Sequence, residues 1–132
     1  VREALAVMVG GAAGSLARWL VSEWVASFAW SAGFPYGILF VNIAGSFGIG
    51  VFSELLLEGG LWNAGSGVRA LVFAGIFGGF TTFSSFSLQT LALLRSGQIL
   101  PAGLNIVSSV ALCLLAVWLG ALLAHSLLGL AK

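Results

Sequence analysis

The segment from about Val68 to Leu94 is apolar and long enough to cross a bilayer, yet its middle reads Gly75-Ile-Phe-Gly-Gly-Phe-Thr-Thr-Phe-Ser-Ser-Phe-Ser87. A membrane-spanning helix needs about 20 predominantly apolar residues. Glycine pairs loosen such a helix, and Thr-Thr and Ser-Ser add hydroxyl donors and acceptors. Irregular backbone survives at membrane depth only when it is buried in protein or lines a watery path. The segment therefore predicts a helix broken mid-membrane that walls a pore or binding site. Phe77, Phe80, Phe83 and Phe86 recur every three residues, which predicts rings on one face.

The rest of the chain places this segment in an all-α integral membrane fold. Of 132 residues, 60% are hydrophobic and 7% charged, against about 25% charged in a soluble domain. The length fits one four-helix membrane domain, residues 1–132, with approximate spans 4–23, 36–57, 68–94 and 101–128 and no room for a further soluble domain. The first apolar stretch is too long for a signal peptide's hydrophobic core and contains Arg18, so it reads as a retained span. The net charge of +1 offers no basic patch for phosphates, so no nucleic-acid partner is expected.

Small and polar residues mark the faces of these spans. Gly10/Gly14 and Gly11/Ser15 repeat at four-residue spacing, which lets helices approach closely. Asn42, Ser46, Gly50 and Ser53 share one face of the second span, and Asn105, Ser109 and Cys113 form a stripe on the fourth. Pro101 suits a first helical turn. Trp19, Trp24, Trp30 and Trp62 read as interfacial anchors, with Trp118 the exception.

With four spans, Arg2, Arg69 and Lys132 lie on one side and Arg95 and Arg18 on the other, so the positive-inside bias is nearly absent. Such a chain can insert both ways round, and two copies can then form an antiparallel dimer.

No catalytic apparatus is legible, so no enzyme activity is expected. His125, the single histidine, falls near the end of the last span, and no His/Cys cluster has metal spacing. Glu3, Glu23, Glu54 and Glu58 sit near span ends or in a loop, whereas proton-coupled transporters place such a group inside the membrane. What remains is a set of neutral donors: the Asn42 amide and the hydroxyls of Thr81, Thr82, Ser84, Ser85, Ser87 and Ser109. Each has a bland alternative, in which the hydroxyl bonds its own helix and Asn42 only joins helices. Phe83 and Phe86 flank Ser84-Ser85. Their electropositive ring edges favour an anion. Amides at the start of a half-helix point at an anion, and carbonyls freed by unwinding can hold a small cation. Arg18 either pairs with a carboxylate or raises the anion concentration at a vestibule.

Three motifs together resemble the Fluc (CrcB) family of small bacterial fluoride channels, and the resemblance covers essentially the whole chain. They are Gly10-Gly-Ala-Ala-Gly-Ser-Leu-Ala-Arg18-Trp, Gly37-Ile-Leu-Phe-Val-Asn42 and Gly78-Gly-Phe-Thr-Thr-Phe-Ser-Ser-Phe-Ser87, the last being the most specific. The resemblance implies a multi-pass protein of the bacterial inner membrane that exports fluoride passively and confers fluoride resistance. It implies a dual-topology antiparallel homodimer with two fluoride pathways and a structural central Na+. By motif position, the backbone carbonyls of Gly78 and Thr81 would hold the sodium. Asn42, Phe83, Phe86, Ser84, Ser85 and Ser109 would line the fluoride pathway. Ser85 and Ile38 stand where threonine is usual or frequent, and Asn105 and Cys113 where some members have tyrosine and serine. Other classes that fit the size are a dual-topology multidrug/proton exchanger, which needs a buried carboxylate, and a non-conducting membrane-assembly subunit.

Overall fold

A computed structural model describes residues 1–28, 33–57 and 62–129, apart from the side chain of residue 128. The elements among the described residues are helices, in the order α1 (Arg2–Ala26), α2 (Tyr36–Leu56), α3 (Ser66–Arg69), a π-helix, π1 (Ala70–Phe77), α4 (Gly78–Phe80), α5 (Phe83–Arg95) and α6 (Ile99–Gly129). Four helical runs are long and apolar enough to cross a membrane: Arg2–Ala26, Tyr36–Leu56, Ser66–Arg95 and Ile99–Leu127. α6 begins at Ile99, two residues before Pro101. Trp30, Glu58 and Lys132 lie outside the described residues.

Two close helix pairings organise the bundle. The first half of the third span, α3 through α4, packs along α1, and α2 packs along α6. Both depend on missing side chains. A Cβ on Gly10 would stand 3.0 Å from the Gly75 Cα, and one on Gly14 would meet the Ile76 carbonyl and stand 2.9 Å from the Phe80 nitrogen. The glycine spacing on α1 is thus answered by glycines of the third span, so backbones touch where lipid offers no hydrophobic drive for association. At the far end, α5 turns into α6 through Gly97, whose φ of +76° is the left-handed conformation that glycine tolerates. Gln98 N–H bonds the Leu93 carbonyl at 2.9 Å and Gly97 N–H the Leu94 carbonyl at 3.1 Å, closing the end of α5.

The third span is broken, but not at its glycines. Gly78 and Gly79 are helical, and the chain becomes extended at Thr81 (φ −79°, ψ 154°) and Thr82 (φ −152°, ψ 114°). Before the break the eight residues of π1 run as a π-helix, a rare form often associated with functional sites. The phenylalanines before the break turn their rings to α2, and those after it pair with each other beside the cavity. Phe77 meets Phe52 at a tilt of 56° with centroids 5.6 Å apart, the Phe80 ring covers Gly45, and Phe83 pairs with Phe86 at 5.1 Å.

Candidate functional site

The break is held by side chains. Thr82 N–H donates to Asn42 Oδ1 at 2.8 Å, and Asn42 Nδ2 donates to the Thr82 carbonyl at 3.1 Å. One amide group therefore satisfies both polar atoms of an unwound residue, as a neighbouring strand would. In a continuous helix the Thr82 N–H would bond the Gly78 carbonyl four residues back. Its diversion to Asn42 releases that carbonyl from its helical partner.

A second diversion follows at once. Thr82 caps α5: its Oγ1 accepts from Ser85 N–H at 3.2 Å. That N–H would otherwise close onto Thr81, so the Thr81 carbonyl is released as well. The two carbonyls freed in this way, Gly78 and Thr81, are oxygen donors of the kind that suits a hard cation. Thr81 is itself anchored, its N–H and Oγ1 both donating to the Phe77 carbonyl at 2.9 and 2.8 Å.

A cavity of about 460 Å³ opens beside the break and brings together Asn42, Thr81, Phe83, Phe86, Ser109 and Cys113. Phe86 is buried, at 7% exposure, whereas Phe83 is 76% exposed in the single chain. The Ser109 hydroxyl is buried and has no hydrogen-bond partner. The stripe on α6 thus faces this cavity through Ser109 and Cys113. Its third member, Asn105, is 1% exposed and donates to Thr90 Oγ1 at 2.9 Å, tying α6 to α5.

Other expected residues lie elsewhere. Ser84 Oγ lies 3.2 Å from Thr82 Oγ1, and Ser85 Oγ accepts from that oxygen at 3.1 Å, so both serines turn toward the cap. Ser85 lines a second cavity of about 480 Å³ with Ser22, Glu23, Ile38 and Gln89. Ser22 Oγ and Gln89 Oε1 are buried there without partners. Arg18 is half-buried on α1 and lines neither cavity. His125 lies near the end of α6, its Nδ1 3.6 Å from Glu54 Oε2.

Two features went unread in the sequence. Thr82 reads in the sequence as one hydroxyl among several, although a threonine at a helix start is a capping signal. Ser22 and Gln89 carried no signal, because only the fold brings α1 and α5 together at that cavity.

Similarity to known proteins covers most of the chain. The family model described as CrcB-like protein, Camphor Resistance (CrcB), matches residues 5–121. A fluoride-specific ion channel FluC of Paramagnetospirillum magneticum is 53% identical over 115 residues, covering 86% of this chain and 88% of that protein. One from Methylobacterium radiotolerans is 50% identical over 114 residues, covering 86% and 78%. One from Parabacteroides distasonis is 45% identical over 127 residues, covering 96% and 95%. With four apolar helices long enough to span, this is a multi-pass membrane protein, and the chain belongs to the CrcB-like family.

Proposed function

We propose that the protein is a fluoride-selective passive channel of the bacterial inner membrane, exporting fluoride from the cytoplasm. The observation that carries this is the clamped break beside a cavity walled by neutral donors and two phenylalanine rings. Fluoride holds its water tightly, so a pore must replace that shell with closely spaced donors. A fixed charge would hold the ion too long; amide, hydroxyl and ring edges bind it and release it, as conduction requires. Relatives named as fluoride-specific channels cover most of the chain, which supports fluoride as the ion.

The assembly is an antiparallel dual-topology homodimer with two pathways. Support comes from the near-even charge balance and from Phe83, a large ring left 76% exposed beside the cavity it lines. In each pathway Asn42, Ser109, Phe83 and Phe86 carry the ion past the break, Ser84 and Ser85 continue the hydroxyl track, and Arg18 enriches anions at a vestibule. A sodium ion on the axis is held by the Gly78 and Thr81 carbonyls of both copies. Their release from helical partners supports that assignment, and the cation offsets the cost of bringing anions to membrane depth.

The test is passive efflux from liposomes carrying the purified protein, read with a fluoride electrode against an equal chloride gradient. Rapid fluoride release with negligible chloride release is expected. Fluoride movement only when driven by a proton gradient would favour an exchanger. No release from verified dimers would leave an assembly subunit. Mapping of tagged termini that found every copy in one orientation would sink the dual topology. Dimer stability unchanged when sodium is replaced by a large organic cation would sink the sodium site.

A further inference from the structure

Thr90 and Asn105 are both buried, and neither lines the cavity beside the break. Thr90 Oγ1 donates its proton to the Phe86 carbonyl at 2.8 Å, which leaves that oxygen only able to accept. Asn105 Nδ2 donates to it at 2.9 Å. A directed relay therefore runs from α6 through Thr90 to the backbone of Phe86. Its place along the hairpin of α5 and α6 matters. Phe86 lies one helical turn from Thr90, and Ser109 one turn from Asn105, both on the side away from the Gly97 turn. At that next level the cavity opens: Phe86 and Ser109 both line it, and the Ser109 hydroxyl has no partner. Among the described residues, the relay holds the side-chain hydrogen bond that joins α5 to α6.

We propose that Thr90 and Asn105 are positioning residues for ion selection. Their relay fixes the gap between the Phe86 ring and the Ser109 hydroxyl, and so the size of ion that passes. This rests on the channel reading above. Fluoride and chloride carry the same charge and differ in size, so neutral donors separate them only if their spacing is held. Two helices joined by a turn at one end spread most at the other. The apolar pair Leu93 and Ala102 lies nearer the turn and limits that spread less than a hydrogen bond one step below the gap. Because Thr90 and Asn105 stand behind the wall, a change in ion preference on altering them must pass through Phe86 and Ser109.

The test measures fluoride and chloride release, under equal gradients, from liposomes carrying the purified protein. Thr90→Val removes the hydroxyl at nearly constant shape, and Asn105→Leu removes the amide. Each is expected to raise the chloride-to-fluoride release ratio by roughly tenfold, the factor that one lost hydrogen bond can supply. Thr90→Ser keeps both bonds and should keep the wild-type ratio, an outcome that loss of packing alone would not give. If either single variant fails to fold, the pair Thr90→Val with Asn105→Leu decides, since removing both partners of a buried hydrogen bond is nearly neutral for stability. A wild-type ratio in the folded double variant, or a ratio relaxed as far in Thr90→Ser as in Thr90→Val, would overturn the proposal. A wild-type protein that releases no fluoride would instead sink the channel reading and the selection role with it.

Discussion

Along its first half the third span lies against α1 with backbone nearly touching backbone, whereas α5 meets α2 and α6 through side-chain hydrogen bonds. In the first half Gly10, Gly14 and Gly75 leave no room for a Cβ. In the second, Thr82 is held by Asn42 and Thr90 by Asn105. The contrast separates two jobs within one span. Close packing fixes the frame, with one long side-chain hydrogen bond across it, Ser15 Oγ to the Gly79 carbonyl at 3.4 Å. Polar clamps hold an unwound backbone open and leave neutral donors beside a cavity. The break falls at the boundary between the two.

Substitutions can break this comparison on either side, and the largest effect is expected on the packed side. Gly14→Val would push a side chain into the Ile76 carbonyl and the Phe80 nitrogen. Overpacking costs about 1–3 kcal/mol even where side chains can move, and backbone cannot give way as they do. Size-exclusion chromatography should show no monodisperse protein. Gly11→Ala is the matching control, since its Cβ would meet nothing within 4 Å. It should fold as the wild type does.

On the clamped side, Asn42→Ala removes partners from the Thr82 N–H and carbonyl. A buried polar group left unsatisfied costs about 1–3 kcal/mol, so a clear drop in thermal midpoint is expected together with loss of fluoride flux. An unchanged midpoint would mean that the clamp is not what holds the break. A smaller effect is expected from Thr82→Val, which removes the cap of α5 at a cost of about 1 kcal/mol, while Thr82→Ser should retain it. Phe83→Ile sharpens the comparison from the other end. Isoleucine keeps an apolar side chain where the proposed dimer would cover the ring, so dimers should persist while fluoride flux falls strongly. Wild-type flux in both Phe83→Ile and Phe86→Ile, with dimers intact, would rule out ring edges as ion contacts.

How much of this was legible in the sequence depended on whether a signal was local. Span positions follow from apolar runs, and the small-residue spacing on α1 correctly marked a close helix contact. The break was legible as an event but not in its place. The motif from Gly75 to Ser87 marked the region only; within it Gly78 and Gly79 stay helical, and Gly79 lies against Gly11. The unwinding moves to Thr81 and Thr82, where Asn42, 40 residues away, can take over the backbone hydrogen bonds. That pairing is long-range, so no window of sequence contains it. The three-residue phenylalanine spacing runs across the extended residues Thr81 and Thr82, so it did not tell which rings pack on α2 and which line the cavity. The stripe of Asn105, Ser109 and Cys113 was readable because α6 is continuous. Which member met the cavity was not readable, because that depends on Thr90 drawing Asn105 toward α5.

The central claim is that the clamped break, rather than the bundle around it, carries the ion. The most direct test is fluoride efflux from liposomes bearing Asn42→Ala, at a temperature where the variant remains folded and dimeric, set beside wild type in the same preparation. The account predicts rapid fluoride release from the wild type and a severe loss in the variant, with chloride release negligible in both. Wild-type fluoride release from a folded Asn42→Ala dimer would contradict it.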